Sequence, residues 1–173
     1  GNCYFSKKEY DKATNYYTMG LDLNKITKDA ESRSNILMGF GNINYDQDNL
    51  EKALSFYKEA FETKETSEHY RDENIVLNIG TVYMEMGKSE EAKIWLLEAY
   101  KTYEKKNNKK DLAITAFNLA QLYDQTGDHK TAMIYISKYI KSNDLVNMIQ
   151  NSKNLSEREA KCQNEKKEEQ NTF

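Results

Sequence analysis

Apolar residues return at helical spacing through the middle of the chain. Ile75, Ile79, Val82, Tyr83 and Met86 fall three or four apart, and Gly87 then interrupts the run. That spacing lines one face of a helix, and a glycine just beyond it supplies the left-handed residue that ends one. Ser89 reads as the N-cap of a second helix, with Glu90 and Glu91 in its positive first turn and Ala92, Leu96, Ala99 and Tyr103 along one side. The plan recurs further on: Leu119, Leu122 and Tyr123, then Gly127, then Asp128 as cap, then Ala132, Ile136 and Tyr139. Polar stretches at 63–72 and 105–111 read as turns between such helix pairs.

The pairs repeat. Ala13, Ala53, Ala92 and Ala132 recur at intervals of 40, 39 and 40 residues. A small residue precedes each by a constant distance (Gly1, Gly41, Gly80, Ala120), and three positions after that stand Tyr4, Asn44, Tyr83 and Tyr123. Helix axes come within ~8–10 Å of each other only where the residues at the crossing are small. Gly80 and Ala92 therefore read as the contact between the two helices of one unit, with Tyr83 filling the adjacent gap. The expected fold is all-α, an α-solenoid of stacked antiparallel helix pairs. Repeats occupy 1–142 (about 1–23 partial, then 33–64, 72–107 and 111–142). A capping helix is expected at 143–160, carrying Leu145, Val146, Met148, Ile149 and Leu155 on one face, and a charged, disordered tail at 161–173. Residue 1 falls inside a helix in this register. The chain thus reads as a fragment with roughly seven residues of the first helix upstream, and the second helix, about Glu9 to Leu23, is expected to fray or to pack on a missing partner.

The stretch Asn78 to Ala99, with Gly80, Tyr83, Gly87, Ala92, Leu96 and Ala99 in order, resembles the tetratricopeptide repeat. Asn118 to Tyr139 is similar. In the first two copies Asn44 stands where the family has tyrosine, and Lys8 and Asp48 stand where it has the turn glycine. The unit of about 40 residues resembles the family's long-repeat type. The resemblance implies a right-handed superhelix whose concave groove, lined by the first helix of each unit, binds a protein or peptide. On that basis the groove-facing residues are Asn35, Met38, Asn42 and Tyr45 in the second copy, Asn74, Leu77, Asn78, Thr81 and Met84 in the third, and Ile114, Phe117, Asn118, Gln121 and Asp124 in the fourth. Asn78 and Asn118 occupy the position from which family members grip peptide backbone; the alternative is that each bonds a neighbouring helix. The groove positions hold no Lys or Arg, which speaks against the subtype that clamps a terminal carboxylate.

Composition narrows the function further. Pro is absent, so nothing breaks the helices, and Tyr 13 and Phe 6 supply core material that a disordered chain would lack. Lys+Arg 25 against Asp+Glu 28, a net charge of -3, is not a nucleic-acid footprint. No run approaches the ~20 apolar residues that cross a bilayer, so no membrane association is expected. Cys3 and Cys162, isolated and without metal-ligand spacing, fit a reducing, cytoplasmic setting, with burial on a helix favoured over a disulfide. His69 and His129 read as solvated, and there is no phosphate loop, nucleophile motif or metal grouping. No enzyme and no cofactor is expected. Acidic Asp46, Glu85 and Asp124 near the groove rim point to a neutral or basic ligand.

The leading reading is a non-enzymatic scaffold that binds a protein or peptide. The alternatives are the peptide-sensing half of a bacterial cytosolic transcription regulator and the interaction domain of a larger signalling enzyme. Self-association through the first unit or the capping helix is left open. The register itself is testable. Ala92→Glu should place an unpaired charge at a helix crossing, at a cost comparable with the ~5–15 kcal/mol that holds a domain folded. The cooperative thermal transition is expected to be lost, and an unchanged melting temperature would refute the register.

Overall fold

The computed structural model describes the backbone of residues 1–65 and 73–170, and the side chains of these except 64, 65, 73, 153 and 155–170. The described residues form only helices: α1 (Asn2–Ser6), α2 (Tyr10–Thr27), α3 (Ala30–Asp46), α4 (Leu50–Glu65), α5 (Glu73–Glu85), α6 (Ser89–Lys105), α7 (Lys109–Gln125) and α8 (His129–Gln170). The most extensive packing is within the pairs α3/α4, α5/α6 and α7/α8; α2/α3, α4/α5 and α6/α7 then join one pair to the next. The result is an α-solenoid.

Each within-pair turn is the same device. Lys8, Asp48, Gly87 and Gly127 all adopt positive φ, from 58° at Lys8 to 83° at Gly127. The following residue's N–H reaches back to the carbonyl of the residue four before the turn: Glu9 to Tyr4, Asn49 to Asn44, Lys88 to Tyr83 and Asp128 to Tyr123, at 2.8–2.9 Å. This double-bonded helix ending satisfies carbonyls that the helix leaves open. Lys8 and Asp48 keep the geometry without glycine, at a steric cost of roughly 1–2 kcal/mol for an L-residue. The turn is so tight that one residue remains before the next helix. Ser89 is therefore already helical rather than a cap; Lys88 holds the cap position and makes no side-chain capping bond. Asp128 does cap α8, accepting from the Thr131 N–H at 3.1 Å. Hydrogen bonds from Thr131 hold its carboxyl below the usual carboxylate value.

The small residues sit at crossings too close for a side chain. A methyl group on Gly41 would lie 2.4 Å from the Tyr57 ring, one on Gly39 2.4 Å from Tyr17, and one on Gly80 2.9 Å from Leu96. Ala53, Ala92 and Ala99 are fully buried, and Ala120, Ala132 and Tyr83 nearly so. Half-buried Tyr123 stacks on Tyr135 with centroids 5.6 Å apart. The bulk opposite each small residue is matched to it along the repeat: tyrosine faces glycine in the first two units, leucine faces Gly80 in the third, and Ile136 stands at the corresponding place opposite Ala120 in the fourth.

Both ends differ from the sequence expectation. α2 runs from Tyr10 to Thr27, past the expected end at Leu23, and is ended by Lys28 in the left-handed region. It exposes Met19, Leu23 and Ile26. The expected separate capping helix is part of α8, which continues without a break because neither glycine nor proline follows Tyr139 to stop it. Residues 161–170 are helical where disorder was expected, and 171–173 lie outside the described residues. α8 has 42 residues against 17 in α7. It outruns its partner, so Leu145, Met148 and Ile149 are exposed instead of packed as a cap. Cys3 is exposed, not buried, because α1 has no buried residue.

The crossing rule yields a test. Gly41→Ala should destabilise by about 1–3 kcal/mol through overpacking on Tyr57. Adding Tyr57→Leu, which recreates the third unit's pairing, should recover part of that loss, with a coupling of about 1 kcal/mol in a urea-denaturation double-mutant cycle.

Candidate functional site

The first helices of successive units lie side by side: α1 touches α3, and α5 touches α7. Between α5 and α7 the contact is polar. The Asn118 amide on α7 donates to Thr81 Oγ1 on α5 at 3.0 Å, and Thr81 in turn donates to the Leu77 carbonyl. One unit earlier the corresponding positions are Asn78 on α5 and Asn42 on α3. Here no such bridge forms. The Asn42 Oδ1 accepts instead from the buried Tyr57 hydroxyl at 2.7 Å, and the half-buried Asn78 side chain makes no hydrogen bond among the described residues. A cavity of about 240 Å³ occupies the place of the missing bridge, lined by Asn42, Tyr45, Asp46 and Tyr57 from the second unit and by Asn78 and Thr81 from the third. Phe5 of α1 closes one side.

Acidic groups surround this cavity. The Tyr45 hydroxyl donates to Glu85 at the end of α5, and the Tyr10 hydroxyl donates to Asp46 Oδ2 at 3.0 Å. Burial and then the Glu85 hydrogen bond push the Tyr45 phenol well above its ordinary value. Burial does the same to Tyr57, helped by Tyr45, Asp46 and Glu85. Both phenols therefore stay protonated across the physiological range, and act as donors rather than as bases.

The remaining sequence-chosen residues separate into three groups. Leu77 is buried in the core, and Met38, Tyr45 and Met84 pack their flanks against it. Leu77 is therefore a packing residue and is not available to a ligand. Asn74 accepts from the Tyr103 hydroxyl at 3.0 Å, which ties it to its own unit's second helix. Exposed Phe117 leans on Tyr139 with centroids 5.3 Å apart, and Ile114, Gln121 and Asn35 are exposed. Asp124 bonds to His129 Nδ1 at 2.7 Å on the surface, while His69 lies outside the described residues. Among the described residues no group of three or more His, Cys, Asp or Glu could hold a metal ion, and no helix is long and apolar enough to cross a membrane. Sequence reasoning missed Phe5 and Tyr57. Tyr57 carried a usable signal, since it stands one repeat after Tyr17 and opposite a crossing glycine.

Stacked antiparallel helix pairs with glycine or alanine at each crossing define a helical-repeat scaffold. The tetratricopeptide repeat family model matches residues 72–141, the third and fourth units of this solenoid. Two solved structures share the fold. The crystal structure of BtubC (BKLC) from P. vanneervenii superposes with a TM-score of 0.74 at 18% identity, covering 83% of this chain and 59% of that one. The apo form of RapI gives 0.60 at 13% identity, covering 84% of this chain and 66% of that one. The chain thus spans about three fifths to two thirds of their lengths. No curated protein matches it in sequence.

The two asparagines should behave differently although their sequence positions correspond. Asn118→Ala, which removes an interhelical hydrogen bond, is expected to lower the stability measured in urea by about 1 kcal/mol. Asn78→Ala should stay within about 0.5 kcal/mol of the parent.

Proposed function

We propose that this chain is a non-catalytic scaffold that binds an extended peptide segment of another protein along the face formed by α3, α5 and α7. One observation carries the reading: the Asn78 amide, half-buried on the lining of the cavity, has no hydrogen-bond partner among the described residues while its counterpart Asn118 is engaged. A side-chain amide both donates and accepts, so it can pair with a peptide backbone whatever the peptide's sequence. Asn42 and Thr81 lie beside it on the same cavity. The family and the solenoid fold support an interaction role, and the tyrosines here are held as neutral donors rather than tuned as acids or bases. The exposed thiol of Cys3 accords with a reducing, cytoplasmic setting.

The test is selection of random phage-displayed peptides against the full chain, followed by fluorescence-anisotropy titration of the enriched sequences. Asn78→Ala is expected to weaken their binding at least tenfold, and Asn118→Ala less than threefold. Failure to enrich any peptide, or equal affinity for the parent and Asn78→Ala, would overturn the reading.

A further inference from the structure

The tyrosines of this protein are used repeatedly as platforms for ammonium groups. Lys12 lies over Tyr4, Lys58 and Lys88 over Tyr83, Lys93 over Tyr123, and Lys138 over both Tyr100 and Tyr135, all between 4.9 and 6.0 Å from the ring centroid. A cation is drawn to the negative face of an aromatic ring, most strongly where water is excluded. The cavity between α3 and α5 presents three rings, those of Phe5, Tyr45 and Tyr57. No cation of the chain sits over any of them among the described residues, and no Lys or Arg lines the cavity. Its lining includes the exposed Asp46, whose carboxylate takes one side-chain hydrogen bond among the described residues, from Tyr10. A carboxylate has about four acceptor sites, so this one has capacity to spare.

We propose that the α3/α5 cavity is a side-chain pocket for a single lysine or arginine of the bound peptide. The inference rests on the peptide-groove reading and adds its specificity. The methylene stem of the basic side chain lies against the rings, and its charged end reaches Asp46. Asn78 at the same cavity holds the backbone beside it. The volume of about 240 Å³ suits one side chain; it falls short of the ~300–1,000 Å³ typical of sites that enclose a whole small molecule or cofactor.

Two measurements test this. In the first, the selected peptides are resynthesised with each Lys or Arg replaced in turn by norleucine, which keeps the stem and removes the charge. One replacement should weaken binding at least tenfold. Asp46→Asn should weaken the unreplaced peptide similarly but leave the norleucine peptide unchanged, and Glu51→Gln, at an exposed carboxylate on α4, should affect neither. In the second, the chain is titrated with N-acetyl-lysine methylamide, N-acetyl-arginine methylamide and N-acetyl-norleucine methylamide while the side-chain amides of Asn42 and Asn78 are followed by NMR. The two basic probes should shift them and the norleucine probe should not, and Asp46→Asn should abolish the shifts. Peptides that depend on Asn78 but ignore both the norleucine replacement and Asp46→Asn would overturn the pocket and leave the groove standing. Asp46-dependent shifts from the basic probes, with no peptide enriched, would keep the cation site and overturn the peptide reading. Equal shifts from all three probes would overturn the cation site.

Discussion

Two helices of a pair can lie against each other here only if one of them presents no more than a methyl group where the other presents a ring or a branched chain. Tyr57 against Gly41 shows the constraint, since even a methyl group would fall 2.4 Å from the ring. With the axes that close, Ala53, Ala92 and Ala99 are sealed from water and the next pair can stack on the ridge they leave. The groove follows from this packing. The first helices are brought side by side because each is pinned to its own second helix, and the residues facing their neighbours across the seam then decide whether the seam closes.

That decision turns on one substitution between units. At corresponding places the third unit has Thr81 and the second has Asn42. Threonine offers a small hydroxyl that accepts the amide of Asn118. Asparagine is longer, and its carbonyl is already committed to Tyr57. Tyr57 is present because Gly41 leaves room for it, whereas Leu96, its counterpart in the third unit, has no hydroxyl to compete. The open seam between the second and third units is thus a by-product of how the second unit fills its own core.

Periodicity made the helix pairs legible, along with the crossing residues Gly41, Gly80, Ala92 and Ala120 and the turns at Gly87 and Gly127. These depend on local sequence and on spacing. The turns at Lys8 and Asp48 were legible only as departures from the family, yet they take the same left-handed geometry, because the bonds closing the turn use backbone atoms alone. The cap at Ser89 was misplaced by one residue for the same reason. The end of the fourth unit could not be located, because a helix stops where a residue or a partner stops it, and α8 meets neither in its sequence. In the site, Asn78 and Asn118 were indistinguishable along the chain. What separates them is the identity of the residue across the seam, a tertiary fact that a single repeat does not contain.

The left-handed turns also divide the molecule energetically. The third and fourth units turn on glycine, while the first and second turn on lysine and aspartate, which bear a steric penalty that glycine escapes. Among the described residues Lys8, Lys28 and Asp48 bear it on one side and Asn107 alone on the other; in a linear array each unit is held chiefly by its neighbours, so the heavier side sets the end from which the array opens. The open seam lies at the border between the strained and the relaxed halves. A chain segment laid across it would act as a splint, tying the half that opens first to the half that opens last, and occupancy of the groove would be felt as cooperativity along the whole solenoid.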